Sequence, residues 1–360
     1  MYNPRRVIQK LDTGIVTLMH IKNFGSRIAA TALLFAAALS FSACGDKPSG
    51  RLVIGVSIPT QREERWIRDV HKLREEAAAR GLELKLQISD NDAARQLAQC
   101  ENLLAQGINA LILAPHDAPA ASVIVEKAHR AGVPVISYDR LITNASVDLY
   151  ISFDNVKVGE IQGKYITSLV PKGKYIVLAG APTDNNATLF RRGAMNIIQP
   201  LADKGDIKIV MDQAVLDWQP ANAMKLAENA LTANANSIDA VLAPNDGTAG
   251  GVIQALAAQN LAGKVPVTGQ DAELSAAQRI VEGLQTMTVF KDTRMLATDA
   301  IIAAEKLARH LPPDVNDKVN NGLMDVPSHL LTPVAVDKNN IDQLLVESGY
   351  LKRSDVYRKH

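Results

Sequence analysis

From residue 51 onward, short apolar runs rich in Val, Ile and Leu alternate with longer stretches whose apolar residues recur at helical spacing. LVIGVSI, LELKLQIS, ALILAP and VPVISYD predict strands, and the segments around 64–80, 93–106 and 118–131 predict helices. The strand runs are continuously apolar rather than alternating, as strands covered by helices on both faces require. After YISFDN the pattern starts again. KYIVLAG, IKIVMDQ, DAVLAP, VPVTGQD and TMTVF predict strands, with helices near 189–201, 221–232, 249–258 and 276–282. The chain therefore predicts two α/β units with parallel sheets.

The two halves also resemble each other in detail. ALILAPHDAPAASVIVEKAHRAGVPVISYD (110–139) lines up with AVLAPNDGTAGGVIQALAAQNLAGKVPVTGQD (240–271): both carry LAP-x-D, a helix containing VI, and a VPV strand ending in Asp. Such self-similarity points to two related domains. In open parallel sheets ligands bind outside the carboxyl ends of the strands, which is where Asp139 and Asp271 fall in their respective halves. A lone Asp after a strand is commonly a helix cap. Recurrence in both halves, once with Arg140 beside it, points instead to a cleft between facing domains.

Other strand ends carry polar or aromatic groups. REERW (62–66) follows the first strand of the first half, and TDNNATLFRRG (183–193) the first strand of the second; Trp218, Asn245 with Asp246, and Lys291 follow later strands. A sugar hydroxyl donates one hydrogen bond and accepts two, so carboxylates paired with Arg, Lys or Asn can satisfy neighbouring hydroxyls. Flat aromatic rings suit the C–H faces of a sugar, and both tryptophans of the chain follow strand-like segments. A buried structural Trp is the commoner case for either one alone.

Composition narrows the partners. With 47% hydrophobic and 21% charged residues, the 360-residue chain is neither disordered nor polybasic and is long enough for two domains. Its net charge of +1 and 4% aromatic content give no basic surface with interleaved rings, so a neutral small molecule is expected rather than nucleic acid. The seven His residues show no paired zinc spacing, and G-x-S-x-G, H-E-x-x-H and P-loop patterns are missing from the sequence, so no metal, cofactor or catalytic residue is expected. Cys100 sits at helical spacing from Leu97, Leu103 and Leu104 and reads as a core residue without a disulfide.

The first 50 residues read differently. Lys22 and Arg27 precede IAATALLFAAALSF (28–41), shorter than the ~20 residues of a membrane span and suited to the core of a secretory signal. Residues 1–43 are expected to be a signal peptide and leader, with Met19 an alternative start to Met1. In SFSACGD, small Ser42 and Ala43 precede Cys44, which resembles a bacterial lipobox, with Phe41 where Leu is usual. The favoured reading is lipidation of Cys44 and a membrane-anchored extracytoplasmic protein, with 44–50 as a linker. The other is cleavage after Ala43, leaving the cysteine idle.

REERW, SYDR, YISFDNVKVGE, DNNATLFRRG, NALTAN, PND, GVIQAL, GQDA, QTMTV and NNGLMDVPSHLLTP together resemble the periplasmic sugar-binding proteins of bacterial ABC importers, in particular their D-xylose-binding members. The resemblance runs from about Arg51 to Ser348. It implies the periplasmic binding protein type I fold: two Rossmann-like lobes, here 51–155 plus 292–328 and 156–291 plus 329–350, with 351–360 a tail. It implies three crossings near 153–157, 290–293 and 327–331, with Asp154-Asn155 and Pro327-Ser328 as hinge elements and the helix at 295–311 returning to the first lobe.

The same resemblance implies D-xylose or a related monosaccharide stacked between Trp66 and Trp218. Its hydroxyls would be held by Arg65, Asp139, Arg140, Asn186, Asn245, Asp271 and Lys291, with Arg191 added. Ser137 and Pro244 depart from the family pattern beside contact positions, and the lipobox departs from a freely diffusing form. A monomer that presents sugar to an inner-membrane ABC permease is expected. A lipid-anchored sensory receptor, a glycoside hydrolase, and a regulator of the lac repressor family stand as alternatives; for the last, an export signal occupies the place of a DNA-binding domain.

Overall fold

The computed structural model describes residues 50–358. The leader, Cys44 and the expected lipidation lie outside the described residues. β1 (Val53–Ile58), β2 (Glu83–Ile88), β3 (Ala110–Leu113), β4 (Val135–Tyr138) and β5 (Leu149–Phe153) run parallel in the order β2-β1-β3-β4-β5. Two later strands extend this sheet: β11 (Asp325–Leu331) beside β5 in parallel, and β10 (Asp317–Asn320) antiparallel at the edge.

The continuous apolar runs bury both faces of this sheet. Ile54, Val56, Ile112 and Ile136 pack under α1 (Glu64–Ala79) and α9 (Thr293–Ala308). Leu111, Leu113 and Val135 pack under α2 (Ala93–Ala105) and α3 (Ser122–Arg130), where Cys100 is buried and has no disulfide partner among the described residues. Alternate strand residues thus serve opposite layers, which is why no polar face appears in the pattern.

The second half repeats the order. β6 (Gly173–Ala179) lies between β7 (Ile207–Ala214) and β8 (Ala240–Leu242), all parallel, and a bridge from Val241 to Val267 continues the sheet. The predicted strand VPVTGQD is reduced to that bridge. Pro266 has no N–H, and the hydroxyls of Thr268 and Thr286 accept from the N–H groups of Ala243 and Val267. β9 (Thr288–Phe290) pairs antiparallel with β12 (Val334–Val336). Helices α4 (Asn155–Leu169), α5 (Asn185–Asp203), α6 (Pro220–Ala233), α7 (Asp246–Ala257) and α8 (Leu274–Val281) complete this half.

The chain passes between the sheets at Asp154, which caps α4, and at Lys291–Asp292, where Asp292 caps α9. The third passage is at Thr332–Pro333, later than the expected 327–331. Ser328 through Leu331 are hydrogen-bonded to β5, so Pro327-Ser328 is strand rather than hinge. The expected tail at 351–360 is also partly structured: Leu351 and Val356, from the short helix α10 (Arg353–Val356) and the residues before it, fill a core with Ile341 and Leu345. Among the described residues no helix is long and apolar enough to cross a membrane.

Candidate functional site

The two halves place a carboxylate by the same backbone device. After β4 the chain turns at Asp139 with φ 60°, and its N–H donates to the carbonyl of Ile151 in β5 at 2.8 Å. After the bridge at Val267 it turns at Asp271 with φ 95°, and its N–H donates to Val289 in β9 at 2.9 Å. Left-handed backbone costs a non-glycine residue about 1–2 kcal/mol, so each turn needs support. The Asp139 carbonyl receives it from Ser152 Oγ at 2.6 Å, Tyr150 Oη at 3.0 Å and, from the other half, Asn186 Nδ2 at 2.9 Å.

Both carboxylates face a cavity of about 330 Å³ between the halves, lined by Glu63, Arg65, Trp66, Asp139, Arg140, Asp184, Asn186, Phe190, Trp218, Asn245, Gln270, Asp271 and Lys291. Contacts across the rim close it: Arg140 Nε lies 2.9 Å from Asp184 Oδ2, Leu274 N donates to Glu64 Oε2 at 2.9 Å, Ala118 N donates to the Thr183 carbonyl at 2.9 Å, and Arg62 donates to the carbonyl of Asp217.

Every cation of the site already has a carboxylate. Arg65 Nη1 is 2.5 Å from Asp139 Oδ1, and its Nε and Nη2 reach Asp69 Oδ2 at 3.1 and 2.9 Å. Arg140 faces Asp184, and Lys291 Nζ is 2.9 Å from Asp271 Oδ1. Burial by itself would raise the Asp139 carboxyl, but the charges of Arg65, Lys291 and Arg140 outweigh it and hold the group below the ordinary carboxylate range. Asp184 moves up, chiefly through burial and with a push from Asp139, despite Arg140.

The aromatic walls come from opposite halves. Trp66 is fully buried, with the Arg65 guanidinium 4.4 Å and the Arg140 guanidinium 5.4 Å from its ring centroid. Trp218 leans on Phe190, ring centroids 6.4 Å apart at 70°, and lies over Gly180, where a Cβ would stand 2.0 Å from the ring. Only glycine leaves room for that ring.

The structure brings together all of the residues expected at the ligand except Arg191. In α5, Asn186 and Phe190 are four apart and face the cavity; Arg191 is turned about 100° further and points to an outer groove, where it pairs with Asp212. Asn186 and Asn245 have structural duties as well. Asn186 Oδ1 accepts from Tyr150 Oη at 3.2 Å, and Asn245 Oδ1 caps α7 by accepting from Thr248 N at 3.0 Å, which leaves the Asn245 amide group for a ligand. Asp246 is set behind the cavity, accepting from Glu273 N, Gln285 Nε2 and Thr288 Oγ1.

Sequence reasoning missed Glu63, Asp184, Phe190 and Gln270. Phe190 carries no polar group to attract attention, and Asp184 reads as the N-cap it also is, accepting from Asn186 N at 2.9 Å. Glu63 and Gln270 adjoin recognised motifs and gave no separate cue. Several buried polar atoms of this lining have no hydrogen-bond partner among the described residues, including Trp218 Nε1, Gln270 Oε1 and Glu63 Oε2; Asp271 Oδ1 is near Lys291 without hydrogen-bond alignment. A donor, neutral acceptors and carboxylates between two indoles suit a small uncharged polyol.

Residues 54–311 match a family model described as periplasmic binding protein domain. The chain belongs to the periplasmic binding protein family. It is 46% identical to the D-xylose-binding periplasmic protein of Escherichia coli over 84% of this chain and 92% of that one. It is 39% identical to the multiple sugar-binding periplasmic receptor ChvE of Rhizobium radiobacter, over 83% and 90%. Among solved structures, a carbohydrate transporter solute binding protein of Chloroflexus aurantiacus in complex with D-glucose superposes with a TM-score of 0.80 at 37% identity, covering 85% of this chain and 98% of that one. These relatives match nearly their whole length, so the type I fold of the family is the fold described above.

Proposed function

We propose that this protein is the periplasmic substrate-binding component of an ABC sugar importer, that it holds D-xylose in the cavity between its halves, and that it delivers the sugar to an inner-membrane permease. The observation that carries the reading is the cavity itself: two tryptophans from opposite halves, and carboxylates set by equivalent turns in each half, each paired with a cation. Because the charges pair within the protein, a charged ligand would leave one of them uncompensated, whereas a neutral polyol exchanges hydrogen bonds with all of them. The indole faces cover the apolar C–H surfaces of the ring. Xylose is favoured by the 46% identical relative that carries its name. The receptor for multiple sugars and the glucose-bound neighbour make hexoses the proper comparison.

The protein acts by binding and closing. A sugar that touches both halves favours the closed arrangement by its differential affinity for it, and the permease reads the relative placement of the lobes. The three passages at Asp154, Lys291–Asp292 and Thr332–Pro333 serve as the hinge. No bond cleavage is proposed: the relatives carry the names of binding proteins, and Arg65 with Lys291 favours the ionised form of Asp139, whereas glycoside hydrolysis needs a protonated carboxylic acid. A lipid on Cys44 would keep the protein at the membrane; Cys44→Ala should then release it from the membrane fraction of intact cells. The relative named as a receptor supports a second use of the same site, in sensing.

The test is isothermal titration calorimetry of the chain from residue 45 onward against D-xylose, D-ribose, L-arabinose and D-glucose. One-to-one binding with xylose tightest, and sugar recovered unchanged, is expected. Preference for another of the four would keep the site and reject xylose; no heat with any would overturn the reading.

A further inference from the structure

Glu63 is the residue before the first turn of α1, and its carboxylate caps no helix N–H. Its side chain is only 9% exposed and lines the cavity. Its two oxygens are in different situations. Oε1 accepts from Arg62, from Nη2 at 2.8 Å and from Nε at 3.1 Å, whereas Oε2 is buried and meets no donor among the described residues. Arg62 in turn reaches the opposite half, donating to the carbonyl of Asp217, the neighbour of Trp218. The carboxylate is therefore aimed by an arginine that is itself fixed when the halves meet.

A buried carboxylate oxygen without a donor is strongly unfavourable. Among the described residues the cations lining the cavity are already engaged, because Arg65, Arg140 and Lys291 face Asp139, Asp184 and Asp271. A carboxylate accepts and cannot donate, so a hydroxyl of a ligand in the cavity can complete it as a donor. We infer that Glu63 is a further ligand-contacting residue: its Oε2 accepts a hydrogen bond from one hydroxyl of the bound sugar, and this contact makes affinity depend on that hydroxyl. The inference rests on the reading of the cavity as a monosaccharide site. It adds a discrimination that paired charges do not supply, since a deoxy or etherified position there leaves the oxygen unpaired.

The test is a set of calorimetric cycles with wild type, Glu63→Leu, Glu63→Gln and Arg62→Met against D-xylose, its monodeoxy analogues and 1,5-anhydroxylitol. Glu63→Leu should weaken xylose binding by roughly ten- to a hundredfold, the range for a hydrogen bond to a charged group. It should also abolish the penalty that wild type shows for one analogue, while penalties for the others remain. Glu63→Gln, which keeps an acceptor oxygen, should recover part of the affinity and of that selective penalty; Arg62→Met should weaken all analogues alike. Xylose binding by Glu63→Leu within threefold of wild type, or a loss spread evenly over every analogue, would overturn the contact. Wild-type protein that binds none of these sugars would remove the monosaccharide reading and this inference with it. Thermal unfolding without sugar checks that Glu63→Leu is folded.

Discussion

Replacing Asp139 by Asn separates the role of its charge from its shape. In the closed cavity Arg65 and Asp139 are 2.5 Å apart, with side chains 4% and 5% exposed. Removing one partner of a buried pair costs about 3–5 kcal/mol because the remaining charge is stranded. Here Asp69 still holds Arg65 by two hydrogen bonds, at 3.1 and 2.9 Å, so the lower end of that range applies. At 1.4 kcal/mol per decade, ~3 kcal/mol corresponds to about a hundredfold rise in Kd. The cost falls on the closed state, since opening the halves returns Arg65 to water; the sugar-free protein should therefore keep most of its thermal stability. Titration calorimetry with the tightest sugar, alongside unfolding without sugar, measures both. Arg65→Met should cost less in the Asp139→Asn background than alone, because contacting residues couple. Affinity within threefold of wild type, or a loss seen only in stability, would refute the assignment of Asp139 to the ligand.

Three further outcomes are expected. Gly180→Ala places a methyl group 2.0–2.5 Å from three atoms of the Trp218 ring, so the ring must shift; sugar affinity should fall at least tenfold while overpacking costs ~1–3 kcal/mol of stability, and unchanged calorimetry would contradict the wall. Arg191→Ala should leave affinity within twofold of wild type, since it removes only a half-exposed pair with Asp212; a tenfold loss would restore Arg191 to the site. Burial raises Asp246 to about 7 and, with Asp246, Asp271 and Glu64 nearby, raises Glu273 to about 8. Both carboxyls thus bind protons more tightly folded than unfolded, so their contribution is fully present below about pH 4 and is lost as pH rises through 7 to 8. Wild type should melt lower at pH 8.5 than at 5.5, and Glu273→Gln should melt a few °C above it at pH 8.5; equal slopes for the two proteins would refute the coupling.

The layers of this fold were legible because burial on both sides imposes uninterrupted apolar strands, and β1, β3, β4 and β6 all lie where such runs stand. The helix α4 was not, since NVKVGEIQGKYITSL mixes two glycines with β-branched residues and has a weak apolar stripe. β10 and β12 were missed for another reason: short edge strands with exposed positions owe their pairing to distant partners, β11 and β9, rather than to their own pattern. At the site the repeat was the stronger guide. Aligning 110–139 with 240–271 placed Asp139 and Asp271 at equivalent turns, and the matching hydrogen bonds to Ile151 and Val289 are its structural counterpart. Phe190, which acts through packing, and Glu63, whose place at the cavity depends on its contact with Arg62, have no such counterpart in the sequence.

The pairing of charges also bears on how little the sugar must supply. Arg140 to Asp184, Leu274 to Glu64 and Arg62 to the Asp217 carbonyl join the halves through the protein's own atoms. Near the second passage Arg68 and Arg294 donate to the carbonyls of Tyr350 and Ser348 at 2.9 and 2.8 Å, with their guanidinium groups 4.6 and 5.3 Å from the Tyr350 ring. Closure is therefore held in part without a ligand, and a sugar can shift the equilibrium only by the contacts it makes better in the closed form. Those contacts are the ones left incomplete around the cavity: Trp218 Nε1, Gln270 Oε1, Glu63 Oε2 and the poorly aligned Asp271. A ligand that completes them relieves buried polar atoms in the closed form alone, which makes closing and recognition the same event.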